Sequence, residues 1–160
     1  MAIIIEAPNE VYSLENSENK KIFLAGGITN CPDWQTEMIE KLKDIPGITL
    51  YNPRRANFPM NDPNAAVEQI TWEYEKLKGA DIIVFWFSRG SLNPIVLYEL
   101  GKWGNSTTKT IVVGIDEEYE RRQDVEIQTR LVRRSIFPFY NSLDQVAKAV
   151  ISFLPFWLQK

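Results

Sequence analysis

Residues 82–87 read Ile-Ile-Val-Phe-Trp-Phe, an unbroken apolar run behind a single acidic residue, Asp81. A run without polar alternation, rich in β-branched and aromatic side chains, fits a strand buried on both faces. Such a strand needs a layer on each side, which commits the chain to helices packed on both faces of a sheet. Ser88-Arg89-Gly90-Ser91 breaks the run, and Asn93-Pro94 then supplies a helix N-cap and a first-turn proline. In that helix Glu99 falls between Ile95 and Trp103, with Val96 and Leu100 close by. An ionised carboxylate on an apolar helix face is costly unless something pairs with it. Glu99 is therefore half of a structural salt bridge, a group on a partly wet edge, or a working group. Its helix starts at the carboxyl end of a central strand, where open α/β sheets bind their ligands.

The rest of the chain supplies the layers that this strand needs. Residues 1–20 stand apart in character: 2–7 read as a short edge strand, and 8–20 are polar and turn-rich. They read as an N-terminal arm, with 21–160 as one α/β domain. Residues 21–25 (KIFLA) form a strand ended by Gly26-Gly27, and 33–43 a helix with Trp34, Met38 and Leu42 at spacing four. Residues 48–51 (ITLY) form the next strand, and this β-α-β order continues. Residues 52–64 hold three prolines and no periodicity, as functional loops often do. Residues 65–78 read as a helix whose buried stripe is Val67, Ile70, Tyr74 and Leu77, bordered by Glu73, while Trp72 points elsewhere. Strands at 110–114 and 136–140 and helices at 125–132 and 142–154 complete the pattern. The order implies an open, mostly parallel five-stranded sheet with helices on both faces, flavodoxin- or Rossmann-like.

Two absences narrow the chemistry. The 160 residues contain no histidine, which removes Ser-His and Cys-His catalysis and His-ligated metal sites. A single cysteine, Cys31, allows neither an intrachain disulfide nor a cysteine metal cluster. A net charge of −3, from 18 basic and 21 acidic residues, argues against nucleic acid as a partner. No stretch has the length or composition of a targeting or membrane segment: 2–5 is too short, and Pro155 interrupts the apolar tail. The expected setting is cytoplasmic. Carboxylates, arginines, hydroxyls and backbone dipoles must carry any catalysis.

In a parallel sheet the loops after the strands gather at one edge, here 26–32, 52–64, 88–93 and the segment from 115. Gly26-Gly27 lets a ligand approach the backbone, or serves a tight strand-to-helix turn. Neither GxGxxG nor GxxxxGK[ST] is present, which argues against a dinucleotide or Walker-type nucleoside-triphosphate site. Glu73 and Glu99 flank the same central strand and form a candidate carboxylate pair, suited to displacement at an anomeric carbon. Arg54, Arg55 and Arg89, with Ser88 and Ser91 before the Pro94 helix, are placed to hold a monophosphate, or else to pair with nearby carboxylates.

The motifs FLAGGIT (23–29), Asp33-Trp34-Gln35, LYNPRR (50–55), EQITWEYEKLKGADIIVFWF (68–87), NPIVLYELG (93–101) and RRQDVEIQ (121–128) occur in order. Over about residues 21–140 the chain resembles the nucleoside 2-deoxyribosyltransferase-like proteins. The resemblance implies a five-stranded parallel α/β fold and cleavage or exchange of the N-glycosidic bond of a nucleoside or nucleotide. It implies that Glu99 is the nucleophile and that Glu73 helps to hold the sugar. Gly26, Gly27, Trp34, Arg54, Arg55, Ser88, Arg89, Ser91, Asn93 and Tyr98 are the candidate substrate contacts. Glu73, Tyr98 or solvent would protonate the leaving base. No metal or cofactor is called for, and a homo-oligomer with sites near subunit interfaces is expected. The segment 88–94 departs from the acidic, Ser-Gly-Thr-type turn of the better-characterised transferases. The competing readings are a nucleotide N-glycohydrolase and a non-catalytic nucleotide-sensing module.

Overall fold

A computed structural model describes residues 1–9, 18–134 and 136–159 of the chain. Residues 10–17, which belong to the expected arm, lie outside the described residues. Strands β1 (Ile3–Glu6), β2 (Lys20–Gly26), β3 (Ile48–Asn52), β4 (Ile82–Phe87) and β5 (Thr110–Ile115) form one sheet, all parallel, in the order β1-β3-β2-β4-β5. Every residue of β3 and β4 is buried, as an apolar strand covered on both faces must be. Side chains of β4 alternate between two cores. Ile83, Phe85 and Phe87 pack with Trp72 and Leu77 of α2 (Ala65–Gly79), Val96 and Leu100 of α3 (Pro94–Trp103) and Val125 of α4 (Arg122–Arg133). Ile82, Val84 and Trp86 pack with Trp34, Met38 and Leu42 of α1 (Trp34–Leu42) and Val146 and Val150 of α5 (Leu143–Phe153). No helix among the described residues is long and apolar enough to cross a membrane.

Two expectations from the sequence need correction. The segment 136–140 is not a strand. Tyr140 forms an isolated bridge with Gly114, and Ile136 is fully exposed. Pro138 lacks the N–H that a ladder needs, so pairing stops at Tyr140 N donating to Val113 O and Ile115 N donating to Tyr140 O. The fifth strand is β1 at the opposite edge, in register with β3 from Ile3↔Thr49 to Glu6↔Asn52.

The second correction concerns α2. Of its apolar stripe only Leu77 enters the core: Val67, Ile70 and Tyr74 are 65%, 64% and 42% exposed. Trp72, assigned elsewhere by the periodicity, is the buried anchor, packed edge-on against Tyr51 and tilted against Phe23. Ala65, Lys76 and Leu77 are buried with it. Ile70 and Tyr74 instead wall a cavity between α2 and α3, which Leu77 also borders from the core. An apolar cavity wall and a core face produce the same helical spacing in the sequence.

Candidate active site

The strand order places the site. From β2 the chain crosses to β3 on one side, and from β4 to β5 on the other, so the direction of strand progression reverses between β2 and β4. Open α/β sheets bind ligands at the carboxyl ends of the strands flanking such a reversal. A cavity of about 680 Å³ lies there, bounded by the end of β2, the loops after β3 and β4, and the facing sides of α2 and α3. Its walls are largely apolar, with Glu73 on α2 and Glu99 on α3 both opening into it.

The loops around the mouth are tied to one another. Asn93 stands at the start of α3 with a left-handed φ of 49°, and its side chain makes no cap bond. Its Nδ2 instead donates to Ser88 O (3.1 Å) and Ser91 O (2.9 Å), and its Oδ1 accepts from Cys31 Sγ (3.3 Å). The expected N-cap is thus a staple between the β2–α1 and β4–α3 loops. Tyr119 adds a tie from the far side, its hydroxyl donating to Leu92 O at 2.8 Å. A Cβ on Gly27 would sit 1.8 Å from Asn93 Oδ1, and one on Gly26 2.3 Å from Cζ2 of Trp34. The chain's own packing therefore demands both glycines, although both also border the cavity.

The arginines are engaged elsewhere. Arg54 Nε donates to Gln35 Oε1 (2.9 Å) and pairs with Asp33 (3.1 Å), while Nη2 donates to Pro32 O (3.0 Å), Cys31 O (3.4 Å) and Gly27 O (3.5 Å). Arg55 pairs with Glu68 at 3.2 Å and lies over the Phe58 ring. Arg89 pairs with Asp116 (2.9 Å) and Glu118 (2.7 Å). None of the three lines the cavity. Trp34 is buried beneath Gly26, with Nε1 donating to Gly27 O at 3.3 Å, and Ser88 is buried behind the loop; neither lines the cavity. Of the sequence candidates, Glu73, Glu99, Gly26, Gly27, Ser91, Asn93 and Tyr98 do line it, Tyr98 at the exposed rim.

Burial dominates the electrostatics. The Glu99 carboxyl is pushed up to about 8, first by desolvation and then by the charge of Glu73. Among the described residues no hydrogen bond or ion pair reaches it. Burial also raises Glu73, but a hydrogen bond from Gln69 Nε2 (2.7 Å) works against the rise. Glu99 has no such donor among the described residues, so its carboxyl is the more strongly raised of the two and keeps its proton at neutral pH.

Sequence reading missed Gln69 and the cluster at the outer end, where Lys102 Nζ sits 4.2 Å from the Tyr74 ring centroid and 5.2 Å from that of Trp103. The signals were there: Gln69 precedes Glu73 by one helical turn, and Lys102 comes nearly one turn after Glu99.

Residues 19–119 match the family model described as nucleoside 2-deoxyribosyltransferase like. The chain belongs to that family. A comparison with curated proteins gave no match. The matched span holds the whole lining of the cavity, including Glu73 and Glu99, while residues 121–128 fall beyond it. Membership in the nucleoside 2-deoxyribosyltransferase-like family associates the fold with chemistry at the N-glycosidic bond.

Proposed function

We propose that this protein cleaves or exchanges the N-glycosidic bond of an unphosphorylated nucleoside, with Glu99 as nucleophile at C1′ and Glu73 as its acid–base partner. The observation that carries the reading is two half-buried carboxylates opening into one cavity where the strand order reverses. A pair sharing one proton can supply both functions. Moving that proton from Glu99 to Glu73 creates the nucleophile and the acid together. An oxygen of Glu99 then bonds to C1′ as the C1′–N bond breaks. The bond's electron pair leaves with the base, which takes the proton from Glu73. An incoming base or water attacks C1′ next, and its proton returns to Glu73 as the ester to Glu99 opens. The dry walls strengthen the attraction between the carboxylates and the developing positive charge.

The arginine placement favours a nucleoside over its phosphate. Arg54, Arg55 and Arg89 are each paired with acidic side chains or carbonyls outside the cavity, where Lys102 is the cation in the wall among the described residues. Ile70, Tyr74, Ile95 and Tyr98 leave the rim apolar and exposed. That rim supports self-association, a second copy of the chain covering it.

The test incubates the protein with a panel of nucleosides and tracks free base by chromatography, with a 2-fluoro-substituted nucleoside as trap. The expected result is base release, a sugar-sized adduct on the peptide containing Glu99, and turnover reduced roughly a thousandfold or more in Glu99→Gln. Base release with inversion at C1′ and no adduct would replace the nucleophile by direct attack of water.

A further inference from the structure

The two carboxylates are alike in chemistry and burial, yet among the described residues one has a hydrogen-bond partner and the other has none. Gln69 supplies that difference. It lies one turn before Glu73 on α2, and its amide nitrogen spends both protons within the site: Nε2 donates to Glu73 Oε1 at 2.7 Å and to Pro53 O at 2.7 Å. Pro53 comes immediately after β3, so the amide ties Glu73 to the end of the sheet. A flipped amide would turn its carbonyl oxygen toward two acceptors, which fixes the orientation. The amide oxygen is buried without a partner among the described residues, and the two donated bonds are what offset that cost.

We propose that Gln69 is the positioning residue of the pair: by donating to Oε1 of Glu73 it favours the ionised form of Glu73 over that of Glu99 and leaves Oε2 as the oxygen available to carry a proton. The other titratable groups in the cavity wall are Tyr74 on α2 and Tyr98 and Lys102 on α3; the β2, β3 and β4 loops contribute none. Lys102 lies over the Tyr74 and Trp103 rings, and none of these groups hydrogen-bonds either carboxylate among the described residues. Gln69 is thus the residue whose contact distinguishes the two acids. This inference rests on the proposed chemistry for its catalytic meaning, but its physical content is tested without substrate.

The measurement is an NMR titration of the full-length protein with labelled glutamate carboxyl and glutamine side-chain groups. In wild type the Gln69 amide resonances track the lower of the pair's two proton steps, because they are bonded to Glu73. In Gln69→Met, which keeps length and helix propensity, the lower step rises by about one pH unit while the upper step stays near its wild-type position. With an active substrate, kcat falls in Gln69→Met and the acid limb of its pH profile moves upward with the lower step, KM changing little. Amide resonances that ignore the lower step, or a lower step unmoved in a folded Gln69→Met, overturn the assignment. Should Gln69→Met fail to fold, the wild-type amide titration decides alone. A protein that turns over no nucleoside still reports these titrations, so failure of the functional reading is distinguishable.

Discussion

Replacing Glu99 by glutamine should stabilise the protein, and only over one pH range. Glu99 has a folded-state pKa of about 8 against an ordinary value of 4.5. Below 4.5 the group is protonated both folded and unfolded, and it contributes no pH dependence. Between 4.5 and 8 the unfolded chain gives up the proton while the folded chain keeps it, so unfolding is increasingly favoured as pH rises. Above 8 the folded state carries the buried charge and the loss is complete. One proton over that window corresponds to about 1.4 kcal/mol per pH unit, or roughly 3–5 kcal/mol in all. Glu99→Gln has no charge to lose, so wild type and variant should match at about pH 4 and diverge to roughly 3–5 kcal/mol at about pH 9, the variant being the more stable. Urea unfolding monitored by circular dichroism at several pH values measures this, because every group not coupled to Glu99 titrates in both proteins and cancels in the difference, leaving Glu99 with its Glu73 interaction. The midpoint should shift with m unchanged. A difference that is flat across the window would refute the desolvation argument, and with it the claim that Glu99 holds a proton at neutral pH.

The arginines and the rim lead to two further outcomes. Isothermal titration should give a nucleoside an affinity equal to or higher than that of its 5′-monophosphate, with Arg89→Ala changing neither; a monophosphate preference of about tenfold or more that Arg89→Ala abolishes would restore a phosphate pocket. Sedimentation should find the wild type self-associated and Ile95→Glu shifted to monomer, since the substitution puts a charge into an apolar rim; a monomeric wild type at working concentrations would remove the partner copy from the site.

How far the sequence could be read depended on whether a residue's partner was local. The unbroken run of β4 announced a doubly covered strand, and its burial on every residue agrees with that. The position of Glu99 relative to Ile95 and Trp103 is a matter of helical angle alone, and all three line the cavity. Arg54, Arg55 and Arg89 were ambiguous because a guanidinium's role is set by where its acceptors lie. Asp33, Glu68 and Asp116 are distant enough in sequence that only the folded chain brings them in. The stripe on α2 misled for a different reason. Spacing shows that a face is apolar, and Trp72 rather than Ile70 turned inward because the cavity, not the sheet, took the longer stripe. Pro138 was legible in principle, since a residue without an N–H is a poor member of a ladder, and its presence argued against a strand at 136–140.

The Arg54 clamp has a kinetic consequence. Its planar guanidinium gathers carbonyls of Gly27, Cys31 and Pro32 around one cation, so the loop at the cavity entrance is set in a single shape while the chain folds. Conformational freedom in that loop is given up once, at folding, and is not lost again at each binding event. A molecule arriving at the mouth meets a finished surface. Capture at this mouth should then be a single encounter whose rate grows in proportion to ligand concentration, with no slower closing step of this loop behind it.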